Sequence, residues 1–179
     1  DDELRSAVDY FMRNSGLPRE LKIQKLLKQN QDEALRFYEK LNALTLYQSL
    51  PIPDALAYLK QNQTTQVKNV ILSGGDRQEI EQILKHNNAA NLITDIYAGP
   101  KTKSHNMQQI IKKYGDVAGV KFFGDSKIDF DVAASFSMEF VFIHGYAHDK
   151  SWFENNEHNV RVFHDFSSAI EELFSGLKS

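Results

Sequence analysis

Two aspartates in the second half of the sequence have the spacing and the setting of a metal site. Asp125 follows an apolar stretch of Val and Phe at residues 120–123, and Asp129 lies four residues further on, one helical turn away. The carboxyl end of a buried strand is where open α/β sheets bind their ligands. Carboxylates suit Mg²⁺, which keeps water and phosphate as its other ligands. The structural alternative has Asp125 capping the next helix and Asp129 in its first turn.

A second set of polar groups follows the apolar residues at 70–72. Ser73 precedes Gly74 and Gly75, whose backbone N–H groups are open to a ligand, and the pair Asp76 and Glu79 resembles a capping box. A hydroxyl beside a helix N-terminus can bind phosphate oxygens. The alternative is a tight turn before a well-capped helix, which two glycines alone would favour.

Two lysines lie in the segment 97–104. A cation at the end of a strand, here Lys101 or Lys103, can neutralise charge on a carboxylate and on a phosphoryl group. The alternative is a pair of solvated lysines on a turn.

These groups require an alternating arrangement of strands and helices to position them, and the sequence predicts one. Strands are predicted at 67–72, 92–98, 120–123, 138–143 and 160–163, and helices at 53–59, 76–86, 104–114, 129–135 and 167–177. Strands that alternate with helices indicate an α/β fold with a doubly wound parallel sheet.

Residues 1–47 are helical in pattern throughout. The first helix ends at the Gly-Leu-Pro of residues 16–18, and two more helices follow it. Its apolar side chains share one face: Leu4, Val8, Phe11 and Met12. Three lysines of the following segment, Lys22, Lys25 and Lys28, are interpreted as a solvated helix face in preference to a substrate clamp.

Composition excludes several classes of protein. The net charge is −3 and there is no basic block, which argues against a nucleic-acid partner or an acidic membrane surface. The absence of cysteine excludes disulfides and a thiol nucleophile. No apolar run is long enough to span a bilayer, and the acidic start is unlike a signal peptide. These features predict a cytoplasmic location.

The run from residue 124 to 146 resembles the fourth motif of the haloacid dehalogenase (HAD) superfamily, near its phosphoglycolate-phosphatase-like branch. In that motif an acidic pair after a strand binds Mg²⁺, and a helix of small residues leads into the next strand. Ser73 with Gly74 similarly matches the second motif, which binds the transferring phosphoryl group. Lys103, in preference to Lys101, matches the lysine of the third motif. Each motif follows its own strand, in the family's order.

The resemblance implies a HAD-type Rossmannoid core with a small helical cap. Residues 1–15 would be a core helix, residues 16–47 the cap and residues 48–179 the α/β core. It further implies a Mg²⁺-dependent phosphomonoester hydrolase acting on a small phosphorylated metabolite. Ser73 and Lys103 would then serve catalysis, and Asp125 and Asp129 would bind the metal.

The family's first motif, Asp-x-Asp-x-Thr, does not occur in the 179 residues, where Asp-x-Asp is found only at 129–131. Its first aspartate is the nucleophile that forms an aspartyl-phosphate, and its second is the acid/base. We therefore expect the nucleophile upstream of residue 1, on an N-terminal segment or a complementing chain. The 179 residues alone should be inactive.

The strand that carries the nucleophile would lie between the strands predicted at 67–72 and 120–123. The competing hypothesis is a catalytically inactive HAD-like binding or scaffold protein. A dehalogenase would need no metal, which the Asp125 and Asp129 pair argues against.

Overall fold

The computed structural model describes residues 2–46, 48–64, 67–154 and 160–174. Its helices and strands are, in chain order, α1 (Asp2–Arg13), α2 (Arg19–Leu26), α3 (Gln31–Leu46), α4 (Pro53–Asn62), β1 (Val70–Leu72), α5 (Arg77–His86), β2 (Asp95–Tyr97), α6 (Lys103–Tyr114), β3 (Lys121–Gly124), α7 (Lys127–Ser135), β4 (Glu139–Ile143), α8 (Ser151–Glu154), β5 (Arg161–Phe163) and α9 (Phe166–Phe174).

The described strands form two parallel sheets, one of β1 and β2 and one in the order β3-β4-β5. In the first, Ile71 pairs with Ile96, and in the second, Phe122 pairs with Phe140. A helix lies between successive strands along the chain. The predicted α/β class with parallel strands is therefore confirmed. No strand in the described ranges pairs with the second edge of β1 or of β3, where the resemblance expects a further strand.

The first two strands are shorter than predicted, because a strand extends only as far as it has a neighbour to pair with. The strand predicted at 67–72 covers Val70–Leu72, and Val67 is 54% exposed. The strand predicted at 92–98 covers Asp95–Tyr97, after a 3₁₀ turn at Ala90–Leu92. The other predicted elements are present with ends shifted by a few residues, and the end of the last helix beyond residue 174 lies outside the described residues.

The chain divides into two compact units. The first unit comprises Asp1–Gly16 and Lys103–Ser179, and the second comprises Leu17–Thr102. The predicted division into a core helix (1–15), a cap (16–47) and a core (48–179) stays a prediction.

The core of the first unit is built around β4, the most deeply buried strand. Val141, Phe142 and Ile143 are at most 2% exposed. The Phe142 ring lies 5.1 Å from the ring of Trp152 and 5.0 Å from that of Phe153, measured between centroids. A buried strand rich in Val, Ile and Phe is typical of a parallel sheet covered by helices.

The helix α1 belongs to the first unit and presents the apolar face that its sequence predicts. Leu4 and Val8 on this face are 63% and 52% exposed. The helical spacing therefore places these side chains on one face, but the face is not buried. No helix in the described ranges is both long and apolar enough to cross a membrane.

In the second unit, one of the three lysines predicted to be solvated is buried. Lys25 and Lys28 are exposed as predicted, but Lys22 is buried together with Ile23. Burial lowers the pKa of Lys22, and the nearby positive charge of Arg19 lowers it further. The prediction was wrong at Lys22, because helical spacing alone does not identify which lysine faces a neighbouring element.

Candidate active site

The candidate site in the first unit begins where β3 ends. Ser126 caps α7, since its Oγ accepts a hydrogen bond from the backbone N–H of Asp129 at 3.3 Å. Asp129 in the first turn is only 3% exposed. A Cβ atom placed on Gly124 would lie 2.5 Å from the Cβ of Asp129, so only glycine fits at the end of this strand. The structural alternative for Asp125 is wrong, because Ser126 is the cap.

A buried ion pair joins this turn to α6. Lys103, the first residue of α6, is 8% exposed, and its Nζ contacts Asp129 Oδ1. Asp129 Oδ2 accepts a hydrogen bond from the Ser126 hydroxyl at 2.7 Å and a longer one from the Asp125 backbone N–H at 3.4 Å. Both oxygens of this buried carboxylate are therefore satisfied, as a charge in such a place requires.

Asp125 differs from Asp129 in its surroundings. It is half-buried, and its pKa is raised, first by burial and then by the neighbouring carboxylate of Asp129. The charges of Lys103 and His148 act in the opposite direction. A carboxylate in this environment is one that a further cation would stabilise.

These residues fit a magnesium ion. Mg²⁺ commonly takes one or two protein carboxylates and completes its shell with water and substrate phosphate. The residues that the structure describes contain no group of three or more His, Cys, Asp and Glu placed to hold a metal. The donor set is thus limited to Asp125 and Asp129, of which Asp129 is already in contact with Lys103. Asp125 is the better placed of the two to be the primary ligand.

The segment 73–76, called the Ser73 loop from here on, lies in the second unit. The backbone N–H of Ser73 donates to Tyr97 O at 2.9 Å, and Ser73 Oγ accepts from the N–H of Gly75 at 3.0 Å. The N–H of Gly99 donates to Gly75 O at 2.8 Å. A Cβ atom on Gly99 would lie 3.0 Å from Gly74 O, so the loops after β1 and β2 are held in close contact.

The predicted capping box at the start of α5 is only half formed. Asp76 caps the helix as predicted, since its carboxylate accepts from the N–H of Glu79 at 3.0 Å. The Glu79 carboxylate does not close the box, because Arg19 and Asn42 bind it instead. Sequence spacing could not reveal this, since Arg19 is sixty residues away in the chain.

The structure therefore brings together three of the predicted site residues: Lys103, Asp125 and Asp129. Ser73 and Gly74 lie in the other unit, together with Lys101, which is exposed. Ser126 lies beside both aspartates and was not among the predicted site residues. Ser126 carried a signal, because a serine three residues before an acidic residue at the start of a helix is typical of an N-cap. His148 was given no role, but its place after the last buried strand predicts that it lies near the site, and its charge does act on Asp125.

A model of the haloacid dehalogenase-like hydrolase family matches residues 5–143 of the chain. The chain belongs to this family. The match spans most of the sequence and includes the Ser73 loop, Lys103 and both aspartates. A comparison with curated protein sequences found no match.

Three solved structures share the fold of this chain. A haloacid dehalogenase-like family hydrolase from Streptococcus pneumoniae superposes with a TM-score of 0.70 at 14% identity, over 96% of this chain and 90% of that chain. A HAD phosphatase from Thermococcus onnurineus superposes with a TM-score of 0.63 at 17% identity, over 96% of this chain and 78% of that chain. Protein tyrosine kinase A from Mycobacterium tuberculosis superposes with a TM-score of 0.67 at 16% identity, over 99% of this chain and 89% of that chain. At such identities the likeness concerns the fold alone.

Proposed function

We propose that the protein is a Mg²⁺-dependent phosphomonoester hydrolase that acts on a small phosphorylated metabolite. One observation carries the proposal: the buried Lys103–Asp129 ion pair lies beside Asp125, whose charge is incompletely compensated, at the carboxyl end of β3. A cation and two carboxylates at this position are suited to holding a divalent ion and a phosphate group together. Membership of a hydrolase family supports the same assignment.

Each residue has a distinct role in the proposal. Asp125, with Asp129 in support, would hold Mg²⁺, which when bound would neutralise charge on the phosphoryl oxygens. Asp129 also orients Lys103, whose ammonium would stabilise negative charge that develops during transfer. Ser73 Oγ and the N–H of Gly74 would bind the phosphoryl group.

The proposed reaction proceeds through an aspartyl-phosphate. The family's nucleophilic aspartate, expected upstream of Asp1, would attack phosphorus and displace the alcohol of the substrate. The second aspartate of the same motif would donate a proton to the leaving oxygen. Water would then attack the acyl phosphate, release inorganic phosphate and restore the carboxylate. Lys103 would compensate charge in both steps.

The metal assignment is tested with a chain that includes the upstream segment. Hydrolysis of an aryl phosphate is measured against Mg²⁺ concentration for the wild type and for Asp125→Asn. We expect the variant to lose Mg²⁺-stimulated turnover while its circular dichroism is unchanged. Asp131→Asn is the matched control, since this exposed aspartate of α7 pairs with Lys127 and not with the site. Undiminished stimulation in Asp125→Asn would reject the assignment.

The same assay separates the two lysines. Lys103→Ala should lower turnover by roughly 10²–10³-fold, the loss typical of removing a group that stabilises developing charge. Lys101→Ala should have little effect, because the Lys101 side chain is exposed whereas Lys103 contacts Asp129. The reverse ranking would move the third-motif role to Lys101.

The competing proposal is an inactive HAD-like binding or scaffold protein. The observation in its favour is that the first motif does not occur in the 179 residues. Such a protein would bind Mg²⁺ and inorganic phosphate with no turnover in the chain that includes its upstream segment. Turnover that depends on an upstream aspartate would exclude it.

A further inference from the structure

A partly buried cluster of polar side chains joins the first turn of α5 to α2 and α3. Arg19 of α2 binds Glu79 of α5 through two parallel hydrogen bonds, Nη1 to Oε1 at 2.8 Å and Nη2 to Oε2 at 2.5 Å. Asn42 of α3 donates to Glu79 Oε2 at 2.9 Å. We call these three residues the Glu79 clamp. All of them belong to the second unit.

The clamp has the features of a fixed, specific contact and not of a surface ion pair. Arg19 is 5% exposed, and its guanidinium also lies 5.2 Å from the centre of the Tyr38 ring. The hydrogen bonds to Glu79 raise the pKa of Arg19 above its ordinary value. A planar guanidinium that binds a carboxylate through two bonds fixes direction as well as distance, which lysine cannot do.

Hydrogen bonds, joined to one another by the short backbone segment 75–79, connect the clamp to Ser73. The N–H of Glu79 donates to Asp76, which is the last residue of the Ser73 loop and the cap of α5. The preceding residue, Gly75, donates its N–H to Ser73 Oγ and accepts from the N–H of Gly99. The position of the Glu79 carboxylate therefore constrains the turn that carries the Ser73 hydroxyl.

We propose that Arg19 and Asn42 are positioning residues, which act through Glu79 to hold the Ser73 loop in the conformation that binds a phosphoryl group. In a complete capping box the glutamate would turn back onto its own helix and hold the turn locally. Here the Glu79 carboxylate is bound by α2 and α3, so the turn is held by other helices of the same unit. The role assigned to Ser73 rests on the proposed function.

Amide hydrogen exchange of the full-length protein, followed by NMR, measures the conformational part of this proposal. Arg19→Met and Glu79→Gln should accelerate exchange of the Gly75 and Gly99 amides by about tenfold or more, because hydrogen bonds to a charged group are lost. The Ile71 amide in β1 serves as the reference for the unit. Lys25→Met on α2 and Glu81→Gln on α5 are the matched controls, since Lys25 is exposed and the Glu81 side chain, which is 40% exposed, pairs with Arg77 and not with the clamp.

A milder variant keeps the test decisive if the two stronger ones unfold. Asn42→Ala removes one hydrogen bond and leaves the Arg19–Glu79 pair in place, so we expect roughly threefold faster exchange at Gly75 and Gly99. Unchanged exchange at these amides would overturn the proposal. It would equally be overturned by an acceleration that Ile71 shares to the same extent, because the clamp would then stabilise the unit as a whole.

Titration with inorganic phosphate, followed at the Gly74 amide, distinguishes positioning from direct contact. If the clamp positions the loop, Glu79→Gln should weaken phosphate binding by about tenfold, as the loss of a charged hydrogen bond would. If Arg19 itself bound phosphate, the same variant would release its guanidinium and tighten binding, and that result would overturn the proposal. Phosphate binding unaffected by Ser73→Ala would reject the role of Ser73 in the proposed function, whereas the exchange comparison would still decide the role of the clamp.

Discussion

The buried contact between Lys103 and Asp129 makes a quantitative prediction about stability. Lys103→Met removes the ammonium but keeps the apolar stem, and it leaves the carboxylates of Asp129 and Asp125 side by side. Removing one partner of a buried pair costs about 3–5 kcal/mol of the free energy of unfolding. We expect a loss in this range, because Asp129 would retain only the Ser126 hydroxyl and one long backbone hydrogen bond.

Asp129→Asn should be less severe. The Ser126 hydroxyl can still donate to the amide oxygen, and Lys103 remains within reach of the Asp125 charge. The loss should be about 1.5–3 kcal/mol, the range for a hydrogen bond to a charged group. In the double variant neither charge is left uncompensated, so its loss should be about 1–3 kcal/mol less than the sum of the two single losses.

Urea unfolding followed by tryptophan fluorescence measures these values. The chain has a single tryptophan, Trp152, whose ring lies 5.4 Å from Phe130 of α7 and thus reports on the unit that contains the pair. Lys127→Met and Asp131→Asn are controls on the exposed face of α7 and should change stability by less than about 1 kcal/mol. The reasoning is refuted if Lys103→Met lowers the free energy of unfolding as little as these controls do. It is also refuted if the loss in the double variant equals the sum of the two single losses.

Three further predictions concern the same unit. Gly124→Ala should cost about 1–3 kcal/mol in urea unfolding, because its Cβ would lie 2.5 Å from that of Asp129, and a neutral result would contradict the crowding. Phe142→Ala should cost about 3–5 kcal/mol, since the ring is 1% exposed, and thermal unfolding would show it. Hydrogen bonds from Ser168 lower the pKa of Asp165 to about 2, so its stabilisation is present above the unfolded pKa of about 3.9 and is lost as the pH falls through about 2. A carboxylate NMR titration with an ordinary midpoint would contradict this.

The sequence was sufficient to predict the part of the site that is local along the chain. The apolar residues 120–123, the glycine after them and the two aspartates one turn apart define a strand, a tight turn and a helix, and the structure contains all three. The choice of Lys103 agrees with its burial against Asp129. Its catalytic role and the metal assignment stay predictions.

Contacts between distant segments could not be predicted in the same way. Arg19 and Glu79 each have an ordinary local role, as a helical arginine and half of a capping box, and only the folded chain joins them. Lys22 shows the same limitation, because periodicity identifies the face of a helix but not the element that covers it. In α1, by contrast, periodicity predicts an apolar face that no described element fully covers, so Leu4 and Val8 are exposed.

The division into two units has a consequence for the order in which the chain folds. The second unit is one continuous segment, whereas the first is built from residues on both sides of it. The chain leaves the first unit after Gly16, which lies against Ser126 and Ile128, and returns to it at Lys103, which contacts Asp129. Both points therefore lie at the first turn of α7. During synthesis residues 17–102 emerge before α7 exists. We therefore expect them to acquire structure first. Hydrogen exchange of ribosome-bound nascent chains of increasing length should find amides of β1 and α5 protected before those of β4, and the opposite order would contradict this expectation.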